Sequence, residues 1–347
     1  MARLKAGVIG TGMGRTHAED YANNPDVELV ALCDLNRKEA EEVGAKFGVK
    51  QFFTDYKELL KVKDIDIVSI AVPNFLHAPM SIAALESGKH VLCEKPMSST
   101  LEGARNMVAA AKASGKRLMI HQNYRFSPSS WKMKEIVDTG MLGKVYYAKA
   151  GYMRRKGTPV LDFAQTGIMG RGNWFIEKEK AGGGALMDIG VHCYDFTWWL
   201  LGTPKPVSVT GSTYRELSKK RFEERNIFAD VDDLASAFVK FENGATLVFE
   251  VSWDGHMPGG WNILLYGDKA GMSWTERLRI FREEDGASMD ISVEIPNQAP
   301  PSACRHFVQA VLNPEMKMIA SGEECINVMK VLDGINKSAR DGGCVTL

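Results

Sequence analysis

The sequence predicts an α/β protein in two parts: an N-terminal doubly wound parallel sheet, then an α+β domain built on a mostly antiparallel sheet. Three observations carry this expectation. Short β-branched runs alternate with helical patterns up to about residue 123, the signature of βαβ units. After Asn123 long strands rich in Tyr, Val and Phe follow one another, most of them with no helix between. The length of 347 residues, at roughly 150 per domain, makes two domains, expected at 1–123 and 124–347, with the C-terminal helix able to pack back on the first.

In the first part, strands are expected at Ala6–Ile9, Glu28–Cys33, Ile67–Ala71, His90–Cys93 and Arg117–His121, with a weaker one at Gln51–Phe53. The expected helices are Thr16–Ala22, Lys38–Phe47, Tyr56–Leu60, Met80–Ser87 and Leu101–Ala113. Gly48, Gly88 and Gly115 follow three of these helices, where a left-handed C-cap costs a glycine least. In the second part, Val145–Arg154, Val207–Tyr214, Leu234–Phe241, Thr246–Trp253, Asn262–Gly267 and Ser288–Ile295 read as strands, and Glu242-Asn243-Gly244 as a tight hairpin between two of them. Helices are expected around Asp188–Leu201, Cys304–Leu312 and Glu323–Ala339.

Composition narrows the function. Lys+Arg and Asp+Glu are both 43, giving no net charge, which argues against nucleic acid or an anionic membrane as partner. No apolar run approaches the roughly 20 residues of a membrane span, and MARLKAGVIG passes straight into a strand pattern instead of a signal peptide, so a cytoplasmic protein is expected. The six cysteines contain no C-x-x-C pair, so free thiols are expected and no metal site is indicated. Seventeen methionines and the Trp198-Trp199 pair are assigned to core packing.

Gly10-Thr11-Gly12-Met13-Gly14 sits between the first strand and the first helix, where a glycine turn lets backbone N–H groups and a helix N-terminus approach a pyrophosphate. The third glycine of G-x-G-x-x-G falls one position early, at Gly14 in place of Arg15. Asp34 ends the second strand, where a carboxylate accepts from ribose hydroxyls and repels a 2′-phosphate. NAD is therefore expected over NADP, with Arg37 close behind able to soften the preference. The strand His90–Cys93 runs into Glu94-Lys95-Pro96, a charged pair at the carboxyl edge where open α/β sheets bind ligands. A lysine partly out of water there can exchange a proton or hold a substrate hydroxyl, unless Glu94 and Lys95 are simply a solvated ion pair. The Lys95-Pro96 bond is a candidate for the cis form.

With Val72-Pro73-Asn74-Phe75-Leu76-His77 and Gly182-Gly183-Gly184-Ala185-Leu186-Met187-Asp188-Ile189-Gly190-Val191-His192 added to these motifs, the sequence resembles the glucose-fructose oxidoreductase, inositol dehydrogenase and MocA (Gfo/Idh/MocA) family over essentially its whole length. The resemblance implies a nicotinamide-dependent oxidoreductase acting mainly on sugars and polyols, with an N-terminal Rossmann domain and a large open sheet in its second domain. It also implies a catalytic group of Lys95, Asp188 and His192, and places Asn74 and the turn around it beside the nicotinamide half of the cofactor.

The residues themselves support that group. Asp188 and His192, four apart on a helix, share a face, and Gly182 to Gly184 would let the backbone approach a ligand. Histidine titrates near neutrality, as removal of a hydroxyl proton requires. Asp188 either holds the imidazole or binds a neighbouring hydroxyl; a capping Asp188 and a packed His192 are the bland alternative. Candidate cofactor contacts are Gly10, Gly12, Met13, Gly14, Asp34, Asn74, His77, Glu94 and Lys95. His77 is as readily a packed helix residue. Candidate substrate contacts are Lys95, Asp188 and His192, with Arg125 at the end of the sixth strand, and Arg155, Asn173 and Trp174 from a long cationic and aromatic connection. Asp195 is expected to be structural.

The expected activity is hydride transfer between a secondary hydroxyl or ketone of a sugar, glycoside or cyclitol and NAD. The alternatives are a non-catalytic regulatory protein binding dinucleotide and sugar, against which the three retained residues argue, and a reductase of another substrate class such as a linear tetrapyrrole. Strands Leu234–Phe241 and Thr246–Trp253 carry apolar groups on both faces, with Leu234, Phe238, Val248 and Trp253 on the side away from the core. A homodimer or homotetramer joined through that sheet is expected.

Overall fold

A computed structural model describes residues 3–155, 157, 172–298 and 300–347. Two compact units emerge: residues 1–122 with 301–329, and residues 123–300 with 330–347.

The first unit is built on strands β1 (Leu4–Ile9), β2 (Val27–Cys33), β3 (Gln51–Phe53), β4 (Ile67–Ile70), β5 (His90–Glu94) and β6 (Leu118–His121). They form one parallel sheet in the order β3-β2-β1-β4-β5-β6. This is the doubly wound order, with its switch point between β1 and β4, where such sheets bind ligands at their carboxyl ends. Between the strands run α1 (Gly14–Ala22), α2 (Arg37–Ala45), α3 (Tyr56–Leu60), α4 (Asn74–Glu86) and α5 (Leu101–Ser114). All four residues of β4 are buried, as are Val91, Leu92 and Cys93 of β5, because helices cover both faces of a parallel sheet. The expected C-cap glycines Gly48, Gly88 and Gly115 all have positive φ. Helix α4 begins six residues earlier than the hydrophobic pattern suggested, at Asn74, with Pro73 supplying the extended entry.

The second unit opens with a 3-10 turn, Asn123–Phe126, and α6 (Pro128–Asp138), which the strand-rich pattern of this region had hidden. Its start was legible: Ser127 caps the amide of Ser130 at 3.2 Å, and Pro128 occupies the first turn. Strand β7 (Val145–Met153) follows, then the 3-10 turn Asn173–Ile176, α7 (Lys178–Ala181), a π-turn over Leu186–Gly190, and α8 (Val191–Leu200). Strand β8 (Pro206–Tyr214), α9 (Leu217–Glu223), β9 (Leu234–Phe241), β10 (Thr246–Ser252), β11 (Gly260–Gly267), β12 (Gly271–Trp274), β13 (Leu278–Glu284) and β14 (Ala287–Ser292) come next. The chain closes with α10 (Ala303–Leu312), α11 (Gly322–Asp341) and β15 (Val345–Thr346).

The nine strands order as β14-β13-β12-β11-β7-β10-β9-β8-β15, antiparallel throughout except for the parallel pair β7–β10. Strands β12 and β13 were not expected; β12 is only four residues long, too short for alternation to stand out. The hairpin between β9 and β10 turns at Asn243-Gly244, with Gly244 at φ +83°. Ala235, Ala237, Val239 and Phe241 of β9 lie inside with Leu247, Phe249 and Val251 of β10. Trp253 continues that inner row and is fully buried, which corrects its expected place on the opposite face.

Arg125 was expected to face a substrate or to bridge the two domains. It is instead 0% exposed, and its guanidinium donates twice to Asp195 of α8, from Nε to Oδ2 at 2.8 Å and from Nη2 to Oδ1 at 2.6 Å. The same guanidinium lies 5.9 Å from the ring centres of Trp198 and Trp199. The fork is consumed in tying the 3-10 turn to the helix that bears His192. Arg125→Met should therefore destabilise the protein by about 3–5 kcal/mol, the usual consequence of leaving one buried charge without its partner. Urea unfolding should show that loss, and Arg125→Met combined with Asp195→Leu should recover most of it.

Candidate active site

The glycine turn after β1 has a separate reason for each glycine. Gly10 has φ +90°, and a Cβ there would lie 2.2 Å from the carbonyl oxygen of Ala71. At Gly14 a Cβ would come within 2.8 Å of Val8 Cγ1, so this glycine seats α1 against β1. A Cβ on Gly12 would meet nothing within 4 Å: the backbone here faces open space, and with exposed Met13 it leads into the N-terminus of α1. The third glycine, one position early, thus serves close helix–strand packing, and the turn keeps room for an anionic group.

Asp34 closes the turn. Its Oδ2 accepts from the Thr11 amide at 2.7 Å and the Thr11 hydroxyl at 2.9 Å, and its Oδ1 accepts from the Asn36 amide at 2.9 Å. Thr11, which sequence reasoning passed over, is the residue that fixes this carboxylate. Both lone pairs of Oδ2 are engaged by Thr11, and Oδ1 keeps one for a ribose hydroxyl. The donor set and the open turn fit a dinucleotide.

At the carboxyl end of β5, the Lys95-Pro96 bond is cis, as expected, and the Lys95 side chain is half-buried. Glu94 is not a solvated partner of Lys95. Its carboxylate turns inward, where Oε1 accepts from His121 Nδ1 at 2.7 Å and His17 Nε2 at 3.1 Å. Burial opposes its charge, but the positive field and hydrogen bond of His121, followed by those of His17, hold its carboxyl well below the usual range. This corrects the reading of Glu94 as a cofactor contact, since its oxygens are engaged inside the protein. His77 is corrected in the same way. It is buried on α4, with Nδ1 2.7 Å from the Pro96 carbonyl and Nε2 2.8 Å from the Val72 carbonyl, and in its neutral form it donates to one of the two. Burial lowers its pKa, partly offset by the two carbonyls. Asn74 is buried at the start of α4, at the same edge of the sheet.

In the second unit, Asp188 and His192 lie on either side of a junction. Asp188 belongs to the π-turn, and His192 is the second residue of α8, so the uniform helix expected over this stretch is replaced by a wider turn leading into it. Neither end is capped by Asp188. Its Oδ2 accepts instead from the indole N–H of Trp253 at 3.0 Å, with Arg154 Nη1 3.7 Å away. His192 meets the Tyr124 ring edge-on at 4.8 Å; Tyr124 lies 4.8 Å from Trp261, and Trp261 stacks on Tyr152 at 4.4 Å. Burial, then the neighbouring Tyr152, raise the pKa of Tyr124. The result is a carboxylate and an imidazole set among aromatic rings.

The glycines before this turn do not make room for a ligand. A Cβ on Gly184 would sit 1.8 Å from the carbonyl oxygen of Asp232. The Asp232 carboxylate accepts from the amides of Gly184 at 2.7 Å and Leu186 at 2.8 Å, and its carbonyl accepts from the Ala185 amide at 2.9 Å. Burial raises the Asp232 pKa against the pull of these amides. The close approach is protein to protein, and it fixes where the π-turn starts. Of the remaining candidates, Arg155 and Asn173 are exposed, and Trp174 is half-buried with its ring edge-on to Phe175 at 5.2 Å. Lys156 and residues 158–171 of that connection lie outside the described residues.

Residues 4–122 match the oxidoreductase family with the NAD-binding Rossmann fold, GFO/IDH/MocA, and residues 130–273 match the GFO/IDH/MocA C-terminal domain. The chain belongs to this family. It is 30% identical to D-glucoside 3-dehydrogenase of Escherichia coli (strain K12), over 99% of this chain and 97% of that protein. It is 27% identical to the NAD(+)-dependent scyllo-inositol 2-dehydrogenase of Bacillus subtilis (strain 168), over 99% and 96% of the two chains. Its fold is that of levoglucosan dehydrogenase in complex with NADH and L-sorbose, with a TM-score of 0.85 at 23% identity, covering 100% of this chain and 99% of that one. Residues 4–122 of this family member are thus an NAD-binding Rossmann domain, and the protein is an oxidoreductase.

The contact of Gly184 with Asp232 leaves no space for a side chain. Gly184→Ala should cost about 3 kcal/mol through overpacking, read as a lowered urea midpoint, while Gly12→Ala, with open space above it, should leave stability within about 0.5 kcal/mol.

Proposed function

We propose that this protein oxidises a secondary hydroxyl of a sugar, glycoside or cyclitol with NAD, or runs the reverse reduction, and that Lys95, Asp188 and His192 serve that one reaction. The observation that carries the reading is the setting of Asp188 and His192 among Tyr124, Tyr152 and Trp261, in a chain that also has the lysine of E-K-P. Aromatic rings suit the C–H faces of a sugar ring, and a carboxylate and an imidazole suit its hydroxyls.

Bound NAD supplies the hydride acceptor. His192 takes the hydroxyl proton while the C–H bond of the same carbon breaks, leaving a ketone; in the reverse direction it returns that proton. Asp188, held by Trp253 and neighbouring Arg154, accepts from an adjacent hydroxyl and so orients the ring. The Lys95 ammonium donates a charged hydrogen bond to the reacting oxygen. Asp34 accepts from the ribose and opposes a 2′-phosphate. The names of the relatives favour a sugar, glycoside or cyclitol as substrate.

The second unit supports assembly as well. Phe238, Val248, Leu264, Tyr266 and Phe281 project from one face of the long sheet, and Phe238, Tyr266 and Phe281 are exposed. We read this face as the contact between two copies in a symmetric dimer, or in a tetramer of such dimers. No described helix is long and apolar enough to cross a membrane. All six cysteines are free, which suits a reducing cytoplasm.

A screen of monosaccharides, glycosides and inositols should find at least one that forms NADH. NAD binding without turnover of any of them would favour the regulatory alternative. With the active substrate, Lys95→Ala and His192→Ala should each lower kcat by on the order of a hundredfold in a folded protein; wild-type turnover in either removes that residue from the mechanism. Asp34→Ser should weaken NAD and admit NADP by calorimetry, and tighter binding of NADP by the unchanged protein would overturn the ribose argument. Light scattering at micromolar protein should give at least twice the monomer mass of 38.3 kDa.

A further inference from the structure

Beneath the Lys95 segment runs a hydrogen-bonded chain that the reaction does not touch. The Tyr21 hydroxyl lies 2.7 Å from the Ser69 hydroxyl, which lies 3.0 Å from His17 Nδ1, and His17 Nε2 reaches Glu94 Oε1. One direction satisfies every group when His17 is neutral: Tyr21 donates to Ser69, Ser69 to His17 Nδ1, and His17 Nε2–H to Glu94. Burial, then the nearby positive His121, lower the His17 pKa and favour that form. His121, at the end of β6, donates from Nδ1 to the same oxygen at 2.7 Å. The other oxygen of Glu94, Oε2, accepts from the backbone amide of Lys95 at 3.2 Å.

We propose that His121 and Glu94 position Lys95: the imidazole of His121 holds the Glu94 carboxylate turned under the end of β5, and Glu94 holds the Lys95 amide. In the tautomer that carries its proton on Nδ1, His77 also holds the Pro96 carbonyl, 2.7 Å away, on the far side of the lysine. The proposal rests on the reading of Lys95 as a participant in the reaction.

The grip depends on charge. Without a cation beside it, a carboxylate this buried would take up a proton or turn toward water; the first weakens its hold on the Lys95 amide and the second releases it. The groups facing His121 are Glu94 on β5, His17 and Asp20 on α1, and Lys95 itself. Burial opposes the His121 charge, but Glu94, with a smaller contribution from Asp20, outweighs burial and Lys95 and raises its pKa above the ordinary 6.5. The sign follows: the ion pair is fully formed below that ordinary value and is lost as pH rises through the raised one. At the acid end it is lost as pH falls through the depressed pKa of Glu94.

The test compares the wild type with His121→Ala, which loses the donor, and His121→Asn, which keeps an N–H near Nδ1 without the charge. Melting temperature and NADH binding report folding. Two readouts follow Lys95: the pH profile of kcat with the active sugar, and the pH profile of Lys95 acylation by acetic anhydride, measured by peptide mass spectrometry with Lys112 as internal reference. His121→Ala should lower kcat by about 10- to 100-fold with a much smaller change in KM for NAD, the scale expected for a misplaced catalytic group. His121→Asn, with the donor but no charge, should show at every pH the reduced rate that the wild type has above its alkaline step. The alkaline step of the wild type should vanish from both profiles in both variants. Unchanged profiles overturn the proposal even if the melting temperature falls, because a purely structural histidine would behave that way. Stoichiometric metal in the wild type that is lost from His121→Ala also overturns it. Should His121→Ala not fold, the wild type against His121→Asn decides by the alkaline step alone. If the wild type oxidises no sugar, the proposed function fails, and the acylation profile by itself decides whether His121 governs the setting of Lys95.

Discussion

Taking a carboxylate out of water costs several kcal/mol unless fixed donors replace its lost hydration. Glu94, Asp188, Asp195 and Asp232 all lie where that cost arises, and each recovers it from a different kind of donor. Glu94 takes two imidazoles, Asp188 an indole, Asp195 a guanidinium and Asp232 backbone amides. Each donor comes from another part of its own unit, so each bond fixes one functional segment against a distant one. The Lys95 turn, the π-turn bearing Asp188 and the helix bearing His192 are all held in this way.

The cofactor end follows a different economy. There the backbone approaches closely where a strand, a helix and a turn meet, and the glycines are spent on that geometry: Gly10 against Ala71, Gly14 against Val8. Only Gly12 faces open space, so only Gly12 is left for a ligand. Thr11 then locks Asp34, whose charge favours the unphosphorylated ribose. In our reading, anion binding and nucleotide choice come from adjacent residues of one turn.

The second unit divides its long sheet into two jobs. Its inner face, with Phe249, Val251 and Trp253, packs beneath the helix and π-turn that carry the polar pair, and Trp253 both fills that core and donates to Asp188. Its outer face carries exposed aromatic residues, with the pair of Lys149 and Glu250 among them at 3.6 Å. Apolar side chains at alternating positions serve the core on one side and, in our reading, a second copy on the other.

By itself the sequence determined the order of strands and helices in the first unit, the glycine turn with Asp34, the turn at Asn243-Gly244 and the family. All of these are local, because a period of two or 3.6 residues, or a motif within one turn, is written in adjacent residues. The start of α6 was equally local, in Ser127-Pro128, and was obscured only by the strand-rich residues after it. What the tertiary structure decided was which side chains meet. Nothing near Arg125 points to Asp195, seventy residues on, or tells Gly184 that it must clear Asp232. The parallel pairing of β7 with β10 and the inward turn of Glu94 toward His17 and His121 were hidden for the same reason. A charged residue at a strand end looks the same in sequence whether it faces water, a ligand or a buried partner, and only the packed neighbours, many residues away along the chain, choose among the three.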